Sequence, residues 1–284
     1  METLRIAVQP EISAIYYALL QNGYDFYTLD RSDLHVRRIQ SFVTGAQTAD
    51  FFAAVRQPRC EVYPYWPRAA ILERAVYCLD AAAERFSDFA RLRRDVMQIP
   101  NVSEDEKGEA LWTWMEAFPH AISRVLNDPA FLRYLAWERT WVAEQNACTA
   151  EERRAIGTTL FACAKRYGAP AESVELLLQP IKCAYSADYF LHDRTFVYCS
   201  GRLDLGSVVH EFLHPIVHPR LEPYRERIAA MVLSPSDVDP SYALDGGEAG
   251  KRNLFEERLV RRLTARILQG ETPNLDDAIR QMWT

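Results

Sequence analysis

The sequence predicts an α+β fold that is mainly helical, with a small β-sheet beside one helix that carries a chemical motif. Apolar residues recur at helical spacing through most of residues 1–170, whereas short runs rich in β-branched and aromatic residues follow after residue 170. We therefore expect a mainly helical N-terminal part at residues 1–170 and a second part, which contains the sheet and the motif helix, at residues 171–284. The two parts are expected to form one continuous structural unit.

The composition is that of a globular protein. The 284 residues are 49% hydrophobic and 25% charged, which excludes wholesale disorder. The net charge of −6 and the lack of a long basic run argue against a nucleic-acid partner. No apolar stretch reaches the roughly 18 residues that a membrane span needs, and the N-terminus lacks the pattern of a signal peptide. We expect a cytoplasmic protein with no membrane partner; its six dispersed cysteines suit a reducing compartment.

The N-terminal part is expected to begin with a strand at residues 4–8. Pro10 then opens a helix that Gly23 ends. Residues 58–67 contain three prolines and are expected to form an ordered loop. Further helical patterns lie at residues 33–43, 48–55 and 68–97.

Polar residues mark the starts of the later helices. Ser103 with Glu106, and Thr149 with Glu152, have the spacing of capping boxes. Asp128, which precedes a proline, marks another helix start.

Strand patterns dominate after residue 170. Residues 174–178 are predicted to form a strand, and residues 189–191 and 195–199 a hairpin across residues 192–194. Residues 195–199 are our candidate for a strand that holds an extended substrate along an open edge, and an interior strand is the equal alternative.

The stretch VVHEFLH, which ends at His214, contains the pattern His-Glu-x-x-His on an apolar background. Residues four apart share one helix face, so His210 and His214 can present two imidazole nitrogens to one metal ion. Glu211 lies beside them, and Asp204 or Ser207 can cap the helix.

Zinc suits this geometry, because a catalytic zinc takes three protein ligands and a water whose pKa it lowers to about 7. The carboxylate of Glu211 can accept the proton of that water as it attacks a carbonyl. The alternative is a chance match on a core helix, which about one such sequence in a hundred would contain. Unpaired polar groups on so apolar a helix are costly, which favours the metal site.

The third ligand is expected downstream. A longer motif with a third histidine is excluded, because Val217 and Arg220 occupy the positions of its glycine and histidine. Glu256 and Glu257 lie in a strongly helical segment, and either carboxylate can face the histidine pair.

Proline residues are expected to distort or stop the motif helix between Pro215 and Pro219. His218 continues the series beyond His214, but on a straight helix it lies about 12 Å from His210 and cannot bind the same ion. It either stabilises a transition state or lines the cleft, or it has a surface or structural role.

A glutamate about forty residues after such a motif resembles the gluzincin class of zinc metallopeptidases, the thermolysin-like arrangement. More closely, His-Glu-Phe-x-His followed by Pro219 and by the sequence from Glu257 to Arg261 resembles a family of uncharacterised bacterial domains classed as metallopeptidases. The start of the chain, at residues 8–26, is also similar to the start of those domains. The specific resemblance covers about 60 residues.

The resemblance implies a zincin-like fold with His210 and His214 as ligands, Glu211 as general base and Glu257 as third ligand. Glu256 stays a rival, because the sequence does not fix the phase of its helix.

The sequence departs from the gluzincin pattern after the third ligand, where Val260 and Arg261 occupy the region of a frequent aspartate, so the partner that orients a histidine is unassigned. The loop at residues 233–250 is either a lid or an idle connection. Possible cleft residues or donors to an oxyanion are Tyr224, Tyr198, Tyr242 and His192.

The function expected from these features is zinc-dependent hydrolysis of peptide bonds in a peptide or protein substrate, with one Zn²⁺ per chain. The alternatives are a catalytically inactive zincin-fold binding protein, a zinc hydrolase of a non-peptide amide, and a structural protein with a chance motif. The sequence does not indicate an oligomeric state.

Overall fold

The structure is a computed structural model that describes residues 3–24, 32–43, 49–56, 65, 68–97, 99, 108–168, 171–182, 187–232 and 248–283. The Ser103 capping box, Tyr242 and, apart from Tyr65, the predicted loop at residues 58–67 lie outside the described residues. So does the connection at residues 233–247.

Within the described residues, six strands form two sheets. Their bounds are β1 (Thr3–Ala7), β2 (Leu79–Asp80), β3 (Arg85–Phe86), β4 (Ser173–Leu178), β5 (Ala187–His192) and β6 (Thr195–Ser200). The main sheet has the order β1-β4-β6-β5, in which β1, β4 and β6 are parallel and β5 runs antiparallel to β6 at the edge. The other sheet is the short β2–β3 hairpin.

Helices make up most of the described chain. Their bounds are α1 (Pro10–Gln21), α2 (Asp33–Gln40), α3 (Ala49–Ala53), α4 (Arg68–Val76), α5 (Phe89–Met97), α6 (Glu109–Met115), α7 (Phe118–Leu126), α8 (Pro129–Cys148), α9 (Ala150–Tyr167), α10 (Leu205–Val217), α11 (Arg225–Ala229), α12 (Glu248–Leu268) and α13 (Leu275–Gln281), with a 3₁₀ helix at His218–Tyr224 between α10 and α11. A mainly helical chain with a small mixed sheet confirms the α+β prediction. None of the described helices is long and apolar enough to cross a membrane.

The main sheet separates two hydrophobic clusters, because successive side chains of a strand point to opposite faces. Val197 and Cys199 pack with the helices of the N-terminal part, mainly α1, α4, α7 and α8. Phe196 and Tyr198 pack on the other face with α9, α10 and α12. The N-terminal strand β1 belongs to the same sheet, so the chain on both sides of residue 170 contributes to it.

Several predicted elements are confirmed. Helix α1 begins at Pro10, and Gly23 just beyond its end has a φ of 90°, a left-handed conformation that glycine adopts without strain. The side chain of Asp128 caps α8. The predicted hairpin is β5–β6, joined through Asp193, whose φ is 52°.

Residues 68–97 do not form the continuous helical pattern that we predicted. The β2–β3 hairpin separates α4 from α5, and both the main-chain nitrogen and the hydroxyl of Ser87 donate to the carbonyl oxygen of Cys78. The turn has three alanines and Glu84 at a φ of 48°. Alanine favours helix, so local propensity gave no sign of this turn.

The predicted capping box at Thr149 is wrong. Its hydroxyl donates to the carbonyl oxygen of Gln145 at 2.7 Å, because α8 ends where α9 begins. Glu152 instead accepts a hydrogen bond from the main-chain nitrogen of Leu205, at the start of α10.

The described part of the chain contains four free cysteines. Cys78, Cys163 and Cys199 are buried and free, whereas Cys148 is exposed and free.

Candidate metal centre

Helix α10 positions the motif. Its N-terminus is capped by Asp204, whose Oδ1 accepts from the main-chain nitrogen of Ser207 at 2.7 Å. Six apolar side chains bury the helix against the second cluster, namely Val208, Val209, Phe212, Leu213, Ile216 and Val217. The remaining face carries His210, Glu211 and His214 toward α12 and β5, both of which pack on α10.

Three ligand atoms form a nearly equilateral triangle. The Nε2 atoms of His210 and His214 are 3.2 Å apart, and Oε2 of Glu257 lies 3.4 Å from the first and 3.5 Å from the second. Ligands about 2.0–2.1 Å from a tetrahedral zinc are separated by about 3.3–3.4 Å. The three side chains are 19%, 14% and 11% exposed, so solvent reaches the group. The triangle therefore has the chemistry and the size to hold a zinc ion.

Glu256 contacts the other side of the same histidine. Its Oε1 accepts from Nδ1 of His214 at 2.8 Å, and its Oε2 accepts from Nδ1 of His218 at 2.7 Å. A carboxylate on the second ring nitrogen fixes the tautomer and the orientation of a ligand histidine. Of the two glutamates, Glu257 thus groups with Nε2 of both motif histidines, while Glu256 contacts Nδ1 of His214, the position of an orienting partner that the sequence left unassigned.

The helix distorts after the motif as expected. Pro215 lies within α10, and the chain continues from Val217 into the 3₁₀ helix. His218 is therefore turned toward Glu256, with its side chain 42% exposed. His218 therefore contacts the carboxylate of Glu256 and not the pair of His210 and His214.

The acidic and basic groups of the site stabilise one another's ionised forms. Burial raises the pKa of Glu257, but hydrogen bonds from His210 and His214 outweigh it, so the net shift is downward. Arg261 also donates from Nε to Oε1 of Glu257 at 2.6 Å, which leaves Oε2 to face the histidines. Burial lowers the pKa of His214, but hydrogen bonds to Glu256 and Glu257 outweigh that effect and raise it to about 10.

Glu211 lies beside the triangle in a different environment. Burial raises the pKa of its carboxyl group, the two motif histidines oppose the shift, and Asp188 and Glu257 add to it. Within the described part of the chain, its carboxylate makes no hydrogen bond or ion pair. An unpaired carboxylate with a raised pKa is suited to accept a proton.

Tyr189 is a site residue that sequence reasoning missed. Its ring, on β5, stacks on the ring of His214, with centroids 5.6 Å apart and planes 7° apart. The ring of Phe196 also stacks on that of Tyr189, with centroids 5.8 Å apart. Burial and the nearby Glu256 and Glu211 raise the pKa of its phenol, which stays protonated. The alternation of side chains along β5 could have predicted the face of the sheet on which Tyr189 lies. It could not have predicted that α10 packs on that face.

The other candidate residues do not join the triangle. The hydroxyl of Tyr198 is buried in the sheet. His192 packs against Tyr77, on the face of β5 opposite to Tyr189. Tyr224 ends the 3₁₀ helix near α13, and Tyr242 lies outside the described residues.

Of the two alternatives for residues 195–199, the interior strand is confirmed and the open-edge substrate strand is wrong. Strand β6 is interior, paired with β4 on one side and with β5 on the other, so its main-chain groups are already used. Among the described strands, β5 is the edge strand nearest the site.

The chain matches no protein-family model, and comparisons with curated proteins and with solved structures also find no match.

Proposed function

We propose that the protein is a zinc-dependent hydrolase that cleaves peptide bonds, with a zincin-like site of gluzincin type. The observation that carries the proposal is the triangle of His210, His214 and Glu257, whose edges match those of a tetrahedral zinc site. The carboxylate of Glu211, which has no hydrogen-bond partner among the described residues, lies next to it.

The residues divide the chemistry between them. Zinc, when bound, supplies a Lewis acid that polarises a carbonyl and makes water acidic at neutral pH. Glu211 accepts the proton of the attacking water and passes it to the leaving amine. Glu256 and Tyr189 hold the ring of His214, and Arg261 holds Glu257.

The position of β5 supports a peptide substrate. Its outer edge pairs with no described strand, and Tyr189 brings that edge next to His214. An extended chain can add to such an edge by main-chain hydrogen bonds. Arg74 already donates from Nη2 to the carbonyl oxygen of Tyr189 at 2.8 Å, so a substrate would pair mainly beside Leu191, whose main chain points the same way.

Metal analysis combined with a peptide-hydrolysis screen tests the proposal. We expect near-stoichiometric zinc in the wild type and in Glu211→Gln, but not in His210→Ala. Glu211→Gln should lose at least about 100-fold in turnover, the size of a general-base contribution. His120→Ala is the matched control, because His120 is exposed, pairs with Glu84 and should leave zinc unchanged.

Two outcomes would contradict the proposal in different ways. A wild type that takes up no zinc even after reconstitution would leave a chance motif on a helical protein. Tight zinc binding without cleavage of any peptide pool would favour an inactive binding protein or a hydrolase of non-peptide amides.

A further inference from the structure

A group of buried charges lies on the face of the sheet opposite to the metal centre. Nζ of Lys182 donates to Oε1 of Glu73 at 2.8 Å and to Oδ2 of Asp188. The three side chains are 1%, 0% and 9% exposed. Tyr16 also donates to Oε1 of Glu73, at 2.6 Å. We call Glu73, Lys182 and Asp188 the anchoring group.

Stability alone does not explain this group. Removing charges from water carries a penalty that their attraction often fails to recover, and apolar replacements are frequently neutral or stabilising. The charge of Lys182 is nevertheless maintained, because Asp188 and Glu73 raise its pKa against the effect of burial. A charged ammonium group is thus kept between two buried carboxyl groups, although burial raises the pKa of Glu73, and this arrangement points to a positioning role there.

That place is directly behind Tyr189. Asp188 precedes Tyr189 on β5, so its side chain points to the helical N-terminal layer while the ring of Tyr189 points to α10. Arg74 follows Glu73 on α4 and donates to the carbonyl oxygen of Tyr189. Adjacent residues of α4 are therefore connected to two consecutive residues of β5, Glu73 through Lys182 and Arg74 directly.

Strand β5 needs such a hold. It pairs only with β6 among the described strands, so half of its main-chain groups have no strand partner to fix them. A small shift of β5 would move the ring of Tyr189 away from His214.

We propose that the anchoring group and Arg74 are positioning residues for the metal centre, which fix β5 so that Tyr189 holds His214 in its ligand orientation. This inference rests on the zinc site of the proposed function, but not on peptide hydrolysis. It gives the helices of residues 1–170 a part in a site whose ligands all come from residues 210–257.

The test is the zinc dissociation constant of the metal-free protein, measured by competition with a chelator, together with the absorption spectrum of the Co²⁺-loaded protein. Asp188→Asn removes the charge with little change of shape, and Tyr189→Leu removes the stacked ring. Each should weaken zinc about 10–100-fold, as the loss of outer partners of a ligand does, and should alter the Co²⁺ spectrum. The double variant should lose less than the product of the two effects, because both act through the same ring.

One control variant should leave zinc affinity unchanged. Glu138→Gln changes another buried carboxyl of the helical layer, which is bonded to Ser13 and Gln179 and, within the described residues, not to β5. Circular dichroism checks the folding of each variant. If Asp188→Asn does not fold, the zinc dissociation constants of Arg74→Met and Tyr189→Leu decide the inference.

Folded Asp188→Asn, Arg74→Met and Tyr189→Leu proteins that bind zinc as tightly as the wild type would overturn the inference. So would a wild type without zinc affinity. Normal zinc binding without peptide cleavage would instead contradict only the proposed function, and the zinc constants of the variants would still decide the inference.

Discussion

Two adjacent glutamates of α12 make different contacts at the site. Consecutive helical residues point about 100° apart, and here Oε2 of Glu257 faces two Nε2 atoms while Glu256 holds the Nδ1 atoms of His214 and His218. The sequence could not separate them, because the rotation of α12 is set by how its buried residues, such as Phe255 and Leu259, pack in the core.

Substitution of these glutamates should have graded effects on zinc. On the proposed assignment, Glu257→Gln removes a charged ligand and should weaken zinc binding more than Glu256→Gln, which removes an orienting partner and should weaken it about 10–100-fold. Chelator competition measures both constants, with Glu271→Gln, an exposed residue paired with Arg266, as control. A larger loss in Glu256→Gln than in Glu257→Gln would reverse the assignment of the ligand.

Zinc binding should release a proton from His214. Its pKa of about 10 means that the ring is protonated at pH 7, and a protonated imidazole cannot ligate a metal. The apparent zinc affinity should therefore rise about tenfold per pH unit from pH 7 toward pH 10 and fall as the pH is lowered. Calorimetry in two buffers of different ionisation enthalpy counts the protons, and zero release at pH 7 would contradict the raised pKa.

At the scale of elements, the motif helix depends on its cap. Asp204→Ala should lower the free energy of unfolding of the metal-free protein by about 1 kcal/mol, because the first turn of α10 loses the acceptor for the main-chain nitrogen of Ser207. Urea denaturation measures this loss. Asp204→Asn keeps an acceptor and is the control; an equal loss in both variants would show that the cap is not the cause.

Elements defined by local pattern were predictable, and those defined by packing were not. Strand β4, the β5–β6 hairpin and α1 follow from apolar runs, a short turn and a proline at a helix start. The interior position of β6 depends on strand order, which no local pattern contains. Likewise His210, Glu211 and His214 follow from spacing on one helix, whereas the contacts of Tyr189 depend on how β5 meets α10.

At the scale of the whole molecule, a buried acid makes stability depend on pH. Burial raises the pKa of Glu138 to about 8, although hydrogen bonds from Ser13 and Gln179 oppose the shift. Since the pKa in the unfolded chain is lower, the contribution of Glu138 to stability is fully present below about pH 4.5 and is lost as the pH rises through about 8.

Glu138→Gln should therefore remove this pH dependence. As the pH rises from 5 to 8.5, the variant should gain stability relative to wild type, by about 4 kcal/mol in the free energy of unfolding. Thermal unfolding at the two pH values measures the difference. A constant difference between the two proteins would indicate that Glu138 is already ionised at pH 5.

The pairing of β1 with β4 delays the assembly of the main sheet during synthesis of the protein. Thr3 pairs with Ser173 and Ala7 with Leu177, so β1 is made about 170 residues before its partner. At about 5–20 residues per second, the ribosome needs on the order of 10–30 s to deliver β4. During that time the apolar side of β1 lacks its neighbouring strand. The helices made in the interval are the part of the chain that can cover this side and prevent contact with other nascent chains.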